Sequence, residues 1–427
     1  MDLSKKLNHR MNEPGEYGDA GASESRKSQN RILGVGLNHH FVQVSDYIFL
    51  VRNTTSAARF PHLGLMQTNK LKLPPLVACL LSCCAILRHS EASLRAAEHP
   101  KYVFPAKSWE TCEPAQAGLN AALLEQFATN VGGDGCIVKN GRLVKSWGEQ
   151  TTHKWWASAS KPVLSTLLLL AVQEGKLPSV DAPVKSVGWA LSDKDSNMTF
   201  RHLANMVSAY GCAERPGAAW GYNDFAIQLY ARSLETVFKK TLDEALKERL
   251  GALQFEDGSF FGHKNGLSVD ASPRDFARLG WLWLNRGRWN GKELLSEKLF
   301  VECIKPGVPA NLPRTVTKKA DDYLQIGSYG GGTDQTPYGP GVYGFNFWFN
   351  EMTPSGARVW PAAPPDTYQA NGLWNRDTVT MFPGLGMVVA VRGAKPGKFE
   401  PGKADGQYNQ NLKLLLDAAN ANTASTK

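Results

Sequence analysis

The strongest constraint on the fold of this chain is where its strand signals fall. Two strand-turn-strand patterns stand at residues 136–147 and 378–392, separated by a long stretch that is mostly helical in periodicity. In the first, Asn140-Gly141 divides Cys136-Ile-Val-Lys139 from Arg142-Leu-Val-Lys-Ser-Trp147. Asn and Gly both tolerate positive φ, which a two-residue hairpin turn requires. In the second, apolar runs at 378–382 and 387–392 flank Pro383-Gly-Leu-Gly386. Helical spacing covers 118–130, 162–174, 199–206, 224–238, 242–250, 273–285 and 408–419. Strands near both ends with helices between them predict an α/β (α+β) fold: an antiparallel sheet built from both ends of the chain, flanked by helices, with a mainly helical region inserted.

The formal charge of +9 is unevenly spread: residues 1–95 hold twelve Lys or Arg against seven Asp or Glu, which leaves the rest only mildly basic. No block of basic residues interleaved with aromatics tracks a phosphate backbone, so nucleic acid is not an expected partner. Met66-Gln-Thr-Asn-Lys70-Leu-Lys72 leads into an apolar run over 73–87, and Ser90-Glu-Ala92 offers small residues for cleavage. A basic segment before an apolar run of that length predicts a signal peptide over 66–92 and a periplasmic or secreted protein. Residues 1–65 then read as a disordered leader or an over-extended start, 93–114 as an irregular lead-in, 115–420 as the folded domain and 421–427 as a tail. Membrane attachment is expected only if Cys83 is a lipoprotein cysteine. Beyond the signal, Cys112, Cys136, Cys212 and Cys303 allow two disulfides or four free thiols. No His or Cys spacing suggests a metal site.

The chemistry is concentrated at Ser158-Ala-Ser-Lys161, the only S-x-x-K in the chain. Residues three apart share a helical face, which sets the Lys161 amine beside the Ser158 hydroxyl. A serine must lose its proton to a neighbour as it attacks a carbonyl, and a desolvated lysine can take it. Ser160 is a poorer nucleophile candidate because Val163, not a base, lies three residues on. The competing G-x-S-x-G signature is absent.

With Leu167-Leu-Leu-Leu-Ala-Val-Gln-Glu174-Gly-Lys-Leu177 and Asp181-Ala-Pro-Val184 behind it, this block resembles that of the serine β-lactamase-related and penicillin-binding-protein-like family. That family includes class C β-lactamases, D-alanyl-D-alanine carboxypeptidases and esterase-type serine hydrolases. Thr199-Phe-Arg-His202, Trp220-Gly-Tyr222-Asn-Asp224 and Gly266-Leu-Ser-Val-Asp270 through Gly280 resemble successive later blocks of the family. The resemblance implies that Tyr222 is the third catalytic group, with Tyr210 as its rival. It also implies that Asp224 replaces the usual Asn, which normally contacts substrate.

The family's strand motif, Lys or His then a small residue then Gly, has its counterpart in Ala370-Asn371-Gly372, preceded by Tyr368 and followed by Leu373 and Trp374. The missing basic residue removes a partner for a substrate carboxylate and so favours a neutral ester or amide over a β-lactam or D-alanyl-D-alanine peptide. Backbone near Leu373 would join the Ser158 N–H as an oxyanion hole, and Trp155, Trp156, Tyr368 and Trp374 would line an aromatic pocket. The expected reaction is acyl transfer through Ser158, with small-molecule or peptide-like substrates and no metal or cofactor. The alternative from another class is a binding or sensor module that keeps an acylable serine.

Overall fold

The computed structural model describes residues 102–262, 268–328, 338–395, 397 and 400–421, all within one compact unit. The expected leader, the signal segment with Cys79, Cys83 and Cys84, the start of the lead-in and most of the tail lie outside these residues.

Strands β1 (Asp134–Lys139) and β2 (Arg142–Trp147) form the first hairpin, turned by Asn140 and Gly141, both at positive φ. Short strands β3 (Lys154–Trp155), β4 (Phe260–Gly262) and β5 (Ser268–Ala271) make a small second sheet, and β6 (Arg288–Trp289) pairs with β7 (Lys292–Glu293). The remaining strands are β8 (Tyr343–Gly344), β9 (Phe347–Phe349), β10 (Tyr368–Gly372), β11 (Asp377–Phe382) and β12 (Met387–Arg392). The main sheet runs β2-β1-β12-β11-β10-β9-β8 and is antiparallel throughout. Its centre joins the two ends of the domain, with Cys136 opposite Ala390 and Ile137 opposite Val389. The expected sheet from both ends, with a helical insertion, is the one the chain forms.

Helices cover both faces. Helix α1 (Ala121–Val131) packs with the C-terminal helix (Gln407–Asn420) over Thr378, Thr380, Val389 and Val391. The opposite face carries the helix Pro273–Leu284, where a Cβ on Gly280 would stand 2.6 Å from Val379 and 2.7 Å from Val388. Only glycine lets that helix lie so close to the sheet. The first helix begins later than its apolar spacing suggests. Gly118, at φ 74°, closes a short 3₁₀ turn over Pro114–Ala117, and Asn120 then caps α1 by accepting from the Leu123 N–H. The helix expected at 199–206 shortens to Phe200–Ala204, and Met206 beyond it takes φ 58°.

The inserted region is organised around α2 (Lys161–Gln173), in which every residue from Lys161 to Ala171 is buried. A helix buried on all sides and mostly apolar belongs in the middle of a core. Each of its leucines contributes about 1.5–3 kcal/mol by burial. Cys112, Cys136, Cys212 and Cys303 are free thiols. Burial pushes the Cys136 thiol up to about 12 and that of Cys303 to about 11, so both stay un-ionised at neutral pH.

Candidate active site

Ser158 lies in a 3₁₀ turn, Ala157–Ser160, that runs directly into the buried helix α2. Ala157 ahead of it takes φ 48°, a left-handed conformation that costs a residue with a Cβ about 1–2 kcal/mol. Strain of this kind collects where a side chain must be presented in one direction. Ser158 is half-buried, whereas Lys161 is closed off from solvent. The Lys161 Nζ donates to Ser158 Oγ at 2.8 Å. Ser160 is committed elsewhere, accepting from the Val269 N–H at 2.9 Å and lying 3.1 Å from the Ser268 hydroxyl.

A second element supplies the other side of the cluster. Asn223 caps the helix Asp224–Phe238 by accepting from the N–H groups of Phe225 and Ala226, and its amide donates to the Tyr210 carbonyl at 2.8 Å. This clamp sets Tyr222 and Asp224 on either side of the cap. The Asp224 carboxylate lies 3.2 Å from Lys161 Nζ, with both side chains at most 4% exposed, and it stands at a helix N-terminus, where negative charge is favoured. The Tyr222 ring centroid is 4.9 Å from Lys161 Nζ, with the Ser158 side chain beside its hydroxyl. Burial, reinforced by the Asp224 charge, pushes the Tyr222 phenol well above its usual range. It therefore rests protonated and can donate. Tyr343, fully buried with its ring 6.4 Å from that of Tyr222, closes the back of the cluster and is held by Asn346, whose amide donates to its hydroxyl at 3.3 Å.

The third element is the end of β10. β10 is not an edge strand: it lies between β11 and β9, but β9 pairs only with Tyr368 and Gln369. That leaves Ala370 to Gly372 with an open side, and the Ser158 turn docks there. A Cβ on Gly372 would sit 2.8 Å from the Trp156 carbonyl, 2.9 Å from the Ala159 nitrogen and 3.1 Å from the Ser158 nitrogen. The next three residues, Leu373, Trp374 and Asn375, all take positive φ, at 46°, 58° and 72°. Asn371 holds this turn, accepting from the Asn375 N–H at 3.0 Å while its amide donates to Gln369 and to the Asn375 side chain.

Ser158, Lys161, Tyr222 and Asp224 thus converge, with Ala370–Gly372 against them. Other expected site residues do not. Tyr210 donates its hydroxyl to Asp322 at 2.7 Å and accepts from the Leu324 N–H, so it serves the loop and not Ser158. Trp156 is fully buried, its indole N–H donating to the Ala271 carbonyl and its ring meeting Phe276 edge-on. Tyr368 is packed between Phe347 and Phe349. Neither ring can line a substrate pocket, because the core uses both. Trp155 is half-buried on β3, paired through its backbone with Asp270.

The Beta-lactamase family profile matches residues 121–411, from the first residue of α1 into the C-terminal helix. This chain belongs to the beta-lactamase family. Membership places it in the serine hydrolase superfamily, and the solved structures agree on the fold. "Putative 6-aminohexanoate-dimer hydrolase from Bacillus anthracis" is 15% identical with a TM-score of 0.53, covering 77% of this chain and 90% of its own. "Crystal structure of putative beta-lactamase from Bacteroides dorei DSM 17855" is 16% identical with a TM-score of 0.52, covering 71% and 99%. No curated protein matches in sequence. Sequence reasoning about this family member missed Tyr343 and the Asn223 clamp. The cap itself was visible, since Asn before Asp-Phe-Ala is an N-cap pattern, but nothing local marks Tyr343.

Proposed function

We propose that this beta-lactamase family member hydrolyses neutral esters or amides through an acyl-serine intermediate. The observation that carries the reading is the contact of Lys161 Nζ with Ser158 Oγ at 2.8 Å, inside a cluster closed by Tyr222 and Asp224. Ser158 Oγ attacks the carbonyl carbon as its proton passes to Lys161. Asp224, 3.2 Å from the amine, orients Lys161 and stabilises the ammonium that forms when it takes this proton. The oxyanion is met by the Ser158 N–H and the backbone N–H of Leu373. The protonated Tyr222 gives its proton to the leaving oxygen or nitrogen as the carbonyl bond to it breaks, and regains one from Lys161. Water then attacks the acyl-enzyme and the proton transfers reverse.

The substrate class rests on Ala370. It is fully buried and apolar at the position where the family pattern has a cation for a substrate carboxylate. Under this reading a neutral p-nitrophenyl ester turns over at least about tenfold faster, in kcat/KM, than a penicillin, since one lost charge-assisted contact accounts for a factor of this order. The reverse preference, read by parallel hydrolysis assays, would favour a β-lactamase or D-alanyl-D-alanine carboxypeptidase. The proposal includes export, so that substrate is met in the periplasm or outside the cell.

Two variants check the assignments. Gly372→Ala puts a methyl group against three backbone atoms that cannot turn away. It is expected to lower kcat at least about 10²-fold, as loss of an oxyanion donor does, with about 1–3 kcal/mol lost in urea unfolding. Tyr222→Phe keeps the buried ring but removes the donor. It should lower kcat on the order of 10²-fold with little change in Tm; an unaltered kcat would remove Tyr222 from the mechanism.

A further inference from the structure

The turn after β10 departs from both conformational and solvation preferences. Leu373 and Trp374 take left-handed backbone conformations, which glycine or asparagine would adopt at lower cost. Both are also large apolar side chains left 41% and 45% exposed. A four-residue connection between β10 and β11 needs neither feature, since Asn371 already holds the loop through Asn375. They directly follow Gly372, whose backbone abuts Ser158.

Resting on the acyl-serine reading above, we propose that Leu373 and Trp374 form the acyl-chain platform of the site and select substrates with an extended apolar acyl group. The leaving oxygen must meet its proton at the Lys161–Tyr222 cluster, which is buried. With the carbonyl oxygen held at the Ser158 nitrogen beside Gly372, the other substituent of the carbonyl carbon faces the exposed turn. An apolar chain there covers part of the surface that Leu373 and Trp374 expose, and it stays in place through acylation and deacylation.

The test is kcat/KM for p-nitrophenyl acetate, butyrate, hexanoate and octanoate, together with butyrate esters of alcohols of increasing length. Wild type, Trp374→Ser and Trp374→Phe are compared, with Tm measured for each. Wild type is expected to favour hexanoate over acetate by at least about tenfold, given on the order of two- to fourfold per partly or fully buried methylene. Trp374→Ser should reduce that preference to within about threefold, and Trp374→Phe should restore most of it. Dependence on the alcohol should be the same in all three. An acyl preference unchanged in Trp374→Ser, or a change confined to the alcohol series, would overturn the platform while leaving the hydrolase reading intact. Absence of wild-type turnover on every ester would overturn that reading and the platform with it.

Discussion

Ser158→Ala is expected to abolish fluorophosphonate labelling and to lower kcat for ester hydrolysis by about 10⁴-fold or more, as loss of a covalent nucleophile does elsewhere. The fold should hardly register the change. Ser158 is half-buried between two alanines, and Lys161 keeps its ion pair with Asp224 when the hydroxyl is gone. Urea unfolding should therefore shift by less than about 1 kcal/mol, the net worth of one hydrogen bond. Residual activity above a few per cent would mean that another group attacks.

Lys161→Met has the second large effect, and it reaches both activity and stability. Removing the base should lower kcat by about 10²–10⁴-fold. It also leaves Asp224 as a buried carboxylate without its counter-ion, which typically costs about 3–5 kcal/mol. The two consequences separate in the double variant Lys161→Met with Asp224→Asn. The amide removes the orphaned charge, so most of the lost stability should return while kcat stays low. Recovery of activity along with stability would show that Lys161 acts only as a structural partner of Asp224.

The parts of the site that could be read from the sequence are those fixed by local geometry. A serine three residues before a lysine, heading an apolar run, leaves little freedom for where the amine goes, and Lys161 lies 2.8 Å from Ser158. Asn140-Gly141 specifies its hairpin by φ alone. Tyr222 and Asp224 flank one cap, so they arrive together. What was not legible depends on packing between distant segments. Trp156 and Tyr368 have the composition of pocket residues, but whether an aromatic ring faces a cleft or a core is decided by Phe276, Phe347 and Phe349. The open side of β10 exists because β9 is only three residues long and pairs for two of them, which no periodicity in 368–372 encodes. Tyr343, on a two-residue strand, carries too short a pattern to reveal that it backs Tyr222.

Whether Ser158 forms a covalent acyl-enzyme is decided by peptide mapping after treatment with a fluorophosphonate. A single adduct on Ser158, absent in Ser158→Ala and slowed in Lys161→Met, is the expected result. An adduct on another residue, or a folded protein that stays unmodified by both the fluorophosphonate and a labelled penicillin, would contradict the account and leave the chain as a binding module on this fold.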